Sequence, residues 1–263
     1  MSETLRVGSV PYLVGRPLDH GLSREEGITL EKHVPARLVE LLRAGKLDVA
    51  LVSSIELFCM PGYSYIPGLC VGGKGAVSSV QVFLRRPIEQ VDSIAMDPAS
   101  RTSQALVQVL LADRKGGPPS YHFPTLGQDP RELPCSAWLS IGDRALRHFH
   151  SGASQVFNPS SAWTRSTGLP FVFAAWIVRP GVDIEPHLPA FQRSYEAGRA
   201  ASGELARNAA RTWSLPSKVI EDYLRQECVY SMGGEMDDAL QLFGERSRVL
   251  GLASDEAVPT ACR

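Results

Sequence analysis

The run Ser100-Arg101-Thr102-Ser103 holds the clearest potential for chemistry in this sequence. It opens an amphipathic stretch, Ser100 to Ala112, whose spacing predicts a helix. A helix start presents backbone N–H groups without partners and a partial positive charge. Hydroxyls and a guanidinium at that point suit a carboxylate or a phosphate. Ser100 equally suits a plain helix cap, and both readings stand at this point. Ser53 and Ser54, after the apolar run DVALV, have the same double reading. Gly142 and Asp143 open another predicted helix, where Asp143 fits a capping role better than that of an acid catalyst. Tyr12, Leu13 and Val14 follow a first short strand, and Ser79 closes the segment GAVSS ahead of VQVFL.

These groups need a scaffold that brings them together. Strands are expected at Arg6–Val10, Asp48–Val52, Val80–Leu84, Ile94–Met96, Ala137–Ile141 and Phe171–Ile177, from apolar and β-branched runs. Pro35 to Ala44 reads as a helix between the first two, a strand–helix–strand order that argues for a parallel sheet covered by helices. After Pro180 the chain reads as helical, at Ala190–Trp213, Ser217–Glu227 and Asp237–Leu250, with Val258–Arg263 as a frayed tail. Open parallel sheets bind ligands beyond the carboxyl ends of their strands, where most of the groups above fall. The expected fold class is α/β with two lobes. Residues 1–86 and 178–263 form a large discontinuous lobe, 87–177 form a small inserted one, and the ligand cleft lies between them. The crossings near Leu84–Pro87 and Trp176–Pro180 are the expected hinges.

Composition narrows the function. With 263 residues, a net charge of −1 and no basic segment interleaved with aromatics, a nucleic-acid partner is not expected. No apolar run is long enough to span a membrane, and MSETLRVGSVPYL lacks the pattern of a signal peptide. The five cysteines are scattered without a CxxC pair, which fits a reducing cytoplasm rather than a zinc site or a disulfide framework. The six histidines give no metal-binding spacing, so a metal is not expected. The residues alone therefore describe a cytoplasmic protein for a small anionic molecule, with the oligomeric state open.

Six blocks in order add to this reading: VGSVPYLVGRPL, GKLDVALVSSIEL, GAVSSVQVF, DPASRTSQALVQVLL, SIGDRAL and TGLPFVFAAW. Together they resemble the chorismate dehydratase family of menaquinone biosynthesis by the futalosine route. The resemblance implies a type 2 periplasmic-binding-protein fold and a hydro-lyase that turns chorismate into 3-[(1-carboxyvinyl)oxy]benzoate without a cofactor. It implies Tyr12, Val14, Ser53, Ser79, Ser100, Arg101, Thr102, Ser103, Gly142 and Asp143 as the substrate-binding set, with Asp143 structural in part and no side chain identified as the proton acceptor. Three departures stand out. Val14 occupies the place where the family usually carries an Asn whose amide reaches the substrate. Gly75-Ala76-Val77 replaces Gly-Pro-Val, and Phe157-Asn158-Pro159 stands ahead of Trp163 in place of Asp-Leu-Gly. A non-catalytic binding protein for a small cyclic or aromatic carboxylate is the alternative that these departures keep open.

Overall fold

The computed structural model describes residues 4–152 and 155–262, so the first three residues of the expected leaderless N-terminus and Arg263 of the expected tail lie outside the described residues. Twelve strands among the described residues form two sheets. They are β1 (Leu5–Ser9), β2 (Ile28–Lys32), β3 (Val49–Ser53), β4 (Ser64–Gly73), β5 (Val80–Leu84), β6 (Ser93–Ala95), β7 (Ser120–His122), β8 (Ala137–Ile141), β9 (Val156–Phe157), β10 (Phe171–Val178), β11 (Cys228–Ser231) and β12 (Thr260–Ala261). The larger sheet runs β11-β4-β10-β3-β1-β2 with β12 beside β4, and the smaller runs β7-β6-β8-β5-β9. β1 is parallel to β2 and β3, as the strand–helix–strand order predicts, whereas β10 is antiparallel to both β3 and β4.

Strand pairing moves each crossing between the sheets. β5 pairs with β8 and β9 in the smaller sheet, and β10 pairs with β3 and β4 in the larger. Lobe boundaries that follow the sheets therefore fall in the segments 74–79 and 158–170, one strand earlier than the expected 86/87 and 177/178. The physical reason lies in the connections. Arg85 and Arg86 end an interior strand of the smaller sheet and not a lobe, while Gly168, with φ of 75°, closes the Pro159–Thr167 helix and turns the chain into the larger sheet.

The buried aromatics fasten the C-terminal helices to β10. Phe171 meets Trp163 and Phe243 edge-on at 5.3 and 5.0 Å, and Trp176 meets Phe191 at 5.0 Å. Burying rings of this size supplies much of the apolar stabilisation of a core. The Trp163 indole N–H donates to the Pro170 carbonyl at 2.9 Å, so the turn before β10 is tied to the helix it leaves.

Three expected helical features differ in detail. The expected Ala190–Trp213 helix is two helices, Leu188–Ala200 and Ser202–Trp213. Ser202 Oγ donates to the carbonyls of Gly198 and Arg199, local bonding that competes with helix continuation. The Ser217–Glu227 stretch is an α-helix only to Asp222 and then a single π-helical turn, Tyr223–Glu227, which feeds β11. The tail is not frayed over its described part. Thr260 and Ala261 pair with Ser64 and Tyr65, and the Cys262 N–H donates to the Tyr65 carbonyl at 2.8 Å.

Candidate functional site at the cleft between the sheets

Seven of the ten expected residues line one cleft: Tyr12, Val14, Ser53, Ser79, Ser100, Ser103 and Gly142. The cavity within the cleft measures about 70 Å³, less than the roughly 300–1,000 Å³ of an ordinary small-molecule site, so a ring-sized ligand requires its walls to part. Its walls are apolar for the most part, with Val10, Leu51, Val71, Val77 and Phe173 among them, and four serine hydroxyls interrupt that surface. Among the described residues no Asp, Glu, His, Lys or Arg side chain lines it.

Two helix starts border this space. Ser100 caps the Arg101–Leu111 helix: its Oγ accepts the Ser103 N–H at 3.2 Å and donates to Ser103 Oγ at 2.9 Å. The cap reading and the pocket reading of Ser100 thus hold together, because the capped face is also the cleft face. The Gly142–His150 helix begins at Gly142, whose φ of 67° lies in the left-handed region. A Cβ there would sit 3.3 Å from the Tyr12 ring, so glycine lets the loop after β1 close over the helix start. The Gly142 N–H donates to the Ser79 carbonyl at 2.8 Å, which joins two of the expected site residues through the backbone. Each helix start places roughly half a positive charge at the cleft, the substitute for a cationic side chain.

Arg101, Thr102 and Asp143 are placed elsewhere. The Arg101 guanidinium pairs with Glu56, a wholly buried carboxylate that also holds Arg43 at 2.5 Å. Thr102 Oγ1 accepts the Ile55 N–H at 3.0 Å. Both side chains therefore bind the helix start to the segment after β3 rather than facing the cleft, and they position Ser100 and Ser103. Successive helical residues turn about 100° around the axis, so Ser100 and Ser103 share a face that Arg101 and Thr102 leave.

Asp143 accepts the Leu13 N–H at 3.0 Å, which ties the loop after β1 to the helix that follows β8. Burial pushes its carboxyl up to about 6 from 3.8, against the Leu13 N–H and the charges of Arg147 and Arg16. A folded-state value above the unfolded one means that the folded protein retains this proton longer. The favourable contribution is complete below 3.8 and is lost as pH rises through about 6. Asp143→Asn keeps a carbonyl acceptor for Leu13 and removes the charge. The variant is expected to be more stable than wild type at pH 7 by roughly 2 kcal/mol and to lack this group's downward slope between pH 4 and 6. Denaturant unfolding across that range measures it, and parallel pH profiles for the two proteins would contradict it.

Two titratable groups of the cleft stay neutral near pH 7. Burial, with Asp97 and Asp143 nearby, pushes the Tyr12 phenol up to about 12. Burial, with the Glu227 carboxylate nearby, raises the Cys228 thiol to about 12 against hydrogen bonds from Tyr223 and Tyr230. Cys228 is a lining residue that sequence reasoning missed, because β11 lies inside a stretch of helical composition. The alternation in CVYS was the available signal.

Comparison with known proteins gives the same picture at the level of whole chains. A chorismate dehydratase of Thermus thermophilus is 30% identical over 241 residues, covering 81% of this chain and 87% of that protein. A chorismate dehydratase of Campylobacter jejuni is 28% identical over 243 residues, covering 92% and 93%. Among solved structures, a protein from Archaeoglobus fulgidus superposes with a TM-score of 0.78 at 16% identity, over 95% of this chain and 99% of that one. The periplasmic aliphatic sulphonate-binding protein of Escherichia coli superposes with a TM-score of 0.64 at 16% identity, over 98% and 96%. These superpositions show the fold, that of the periplasmic binding proteins. A family model described as menaquinone biosynthesis matches residues 5–248, and with that match over most of its length the chain belongs to this menaquinone-biosynthesis family.

Proposed function

We propose that this protein is a chorismate dehydratase, a hydro-lyase that converts chorismate into 3-[(1-carboxyvinyl)oxy]benzoate and water in the cytoplasm, on the futalosine route to menaquinone. The observation that carries the reading, beside family membership, is the cleft itself: an apolar slot for a ring, with hydroxyls and two helix starts for carboxylates.

The chemistry needs little more. The C3–H bond breaks, its electron pair is drawn toward the ring carboxylate, and the C4–O bond then breaks, the hydroxyl taking up the proton released from C3 and leaving as water. The ring becomes aromatic, which drives the step. The protein therefore has to orient the ring and stabilise the negative charge that spreads to the carboxylate. The Ser100–Ser103 face and the N–H groups of its helix start suit that second task.

The proton acceptor is a separate question. No carboxylate, imidazole or amine side chain lines the cleft among the described residues, and Tyr12 and Cys228 are held protonated. This supports the substrate's own enolpyruvyl carboxylate as the group that takes the C3 proton. A chorismate analogue without that carboxylate is expected to bind and to stay unreacted; full turnover of the analogue removes the assignment.

Incubation of the pure protein with chorismate, followed by chromatography for the benzoate product, tests the function directly. Thermal stabilisation by chorismate without product would instead identify a binding protein.

A further inference from the structure

The π-helical turn Tyr223–Glu227 lies against the cleft at a point where the proposed chemistry does not require it. The Cys228 N–H donates to the Tyr223 carbonyl, the i→i+5 bond that defines the turn. Such turns cost regular helix geometry and recur at functional sites. Here the turn makes three contacts with consequences. Glu227 accepts two hydrogen bonds from Ser78, from its N–H at 2.6 Å and from its Oγ at 2.9 Å. The Tyr223 side chain, 1% exposed, lies beside the Ser79 hydroxyl. Cys228, the next residue, lines the cleft, and its thiol lies beside the same phenol.

An ordinary α-helix would align residues 223 and 227 on one face and rotate residue 228 away. The wider turn brings all three against Ser78 and Ser79. The rest of the 75–80 segment is held from the opposite side. The Gly75 N–H donates to Thr164 Oγ1 at 3.1 Å, and Asn158 Nδ2 donates to the Val77 carbonyl at 3.0 Å. The segment that carries Ser79 is thus held from two directions.

We propose that Glu227 is a positioning residue for the reaction: through its two hydrogen bonds to Ser78 the π-helical turn fixes the loop that brings Ser79 to the cleft wall. The proposal rests on the dehydratase reading for its kinetic consequence but not for its structural one. Glu227 acts through Ser78 and is not among the residues that line the cleft.

A double-mutant cycle and an exchange measurement test the two parts. Glu227→Ala is expected to lower kcat about tenfold with KM nearly unchanged, and to have less than about a twofold effect when Ser79 is already Ala. Equal losses in both backgrounds would mean that Glu227 supports the fold and not Ser79, which overturns the proposal. Where Glu227→Ala does not fold, Glu227→Gln takes its place in both measurements. The second measurement is amide hydrogen exchange without ligand. Glu227→Ala is expected to speed exchange at the Ser78 amide by about tenfold or more, with the core strands unchanged. Unchanged protection at residues 76–80 overturns the proposal whether or not the protein turns over chorismate. Absence of turnover by the wild type with faster loop exchange in the variant sinks the dehydratase reading and leaves the loop support standing.

Discussion

Val14→Asn is expected to raise chorismate turnover by about 10²- to 10³-fold, the range observed when a single oxyanion-type donor is gained or lost. Val14 sits in the 3-10 turn Leu13–Gly15 directly after β1, half-buried, with its side chain on the cleft wall. The cleft already has hydroxyls on its other sides, at Ser53, Ser79, Ser100 and Ser103, whereas the loop after β1 contributes only the Tyr12 phenol. A valine neither donates nor accepts a hydrogen bond, so charge that develops on this side of the substrate has no partner from residue 14. An asparagine of similar bulk supplies the amide that the resembling family carries there. In the empty protein the same amide loses water partners against an apolar wall, so a stability loss of about 1 kcal/mol should accompany the gain in rate. That opposite movement of activity and stability identifies the effect, since a variant that merely tightened the fold would raise both. A wild type that Asn does not improve shows that residue 14 is not limiting. If the wild type binds chorismate without turnover and the Asn variant turns it over, Val14 alone separates binder from enzyme.

The sequence disclosed the site better than it disclosed the scaffold around it. β5 and β8 match their expected bounds residue for residue, because each is a run with a single polar residue, Gln81 or Ser140, closed by Arg or Gly. β4, the longest strand, escaped notice. Its sequence SYIPGLCVGG contains one proline and three glycines, which ordinarily mark turns. The structure explains two of those glycines. Gly68 has φ of 76°, and a Cβ on Gly72 would lie 2.8 Å from the Phe171 carbonyl oxygen of the neighbouring strand. Close backbone approach is a tertiary fact that no local pattern carries. At the site, seven residues could be found because hydroxyls and glycines after strands are where α/β folds collect ligands. Arg101 and Thr102 were misplaced because the direction of a side chain around a helix start depends on what lies across from it, and Glu56 and Ile55 come from another part of the chain. Tyr223, Glu227 and Cys228 were hidden for a different reason: a π-helical turn has the composition of the α-helix it interrupts.

Asp97→Ala is expected to cost about 3 kcal/mol of stability and to reduce activity beyond that loss. Asp97 follows β6 and is 2% exposed. One carboxylate oxygen accepts the Ala99 N–H at 3.0 Å; the other accepts the Ile141 N–H at 3.0 Å and Arg144 at 2.7 Å. Ala99 immediately precedes the Ser100 cap, and Ile141 immediately precedes Gly142. A single side chain therefore sets the spacing between the two helix starts that supply the cleft with positive potential. Alanine leaves the N–H of Ile141 buried without its acceptor, at about 1–3 kcal/mol for such a group, and leaves Arg144 with only its longer 3.8 Å contact to Asp129. Arg144 is 37% exposed and regains water, which keeps the total below that of a fully buried broken pair. Asp97→Asn retains an oxygen for one or both amides and loses the ion pair, so it should fall between alanine and wild type in stability. The two variants separate fold from function. If the helix starts act jointly on the substrate, Asp97→Ala lowers kcat/KM even at temperatures where it is fully folded, and Asp97→Asn does so less. Denaturant unfolding within about 1 kcal/mol of wild type for the alanine variant would show that Asp97 does not hold the two helices together.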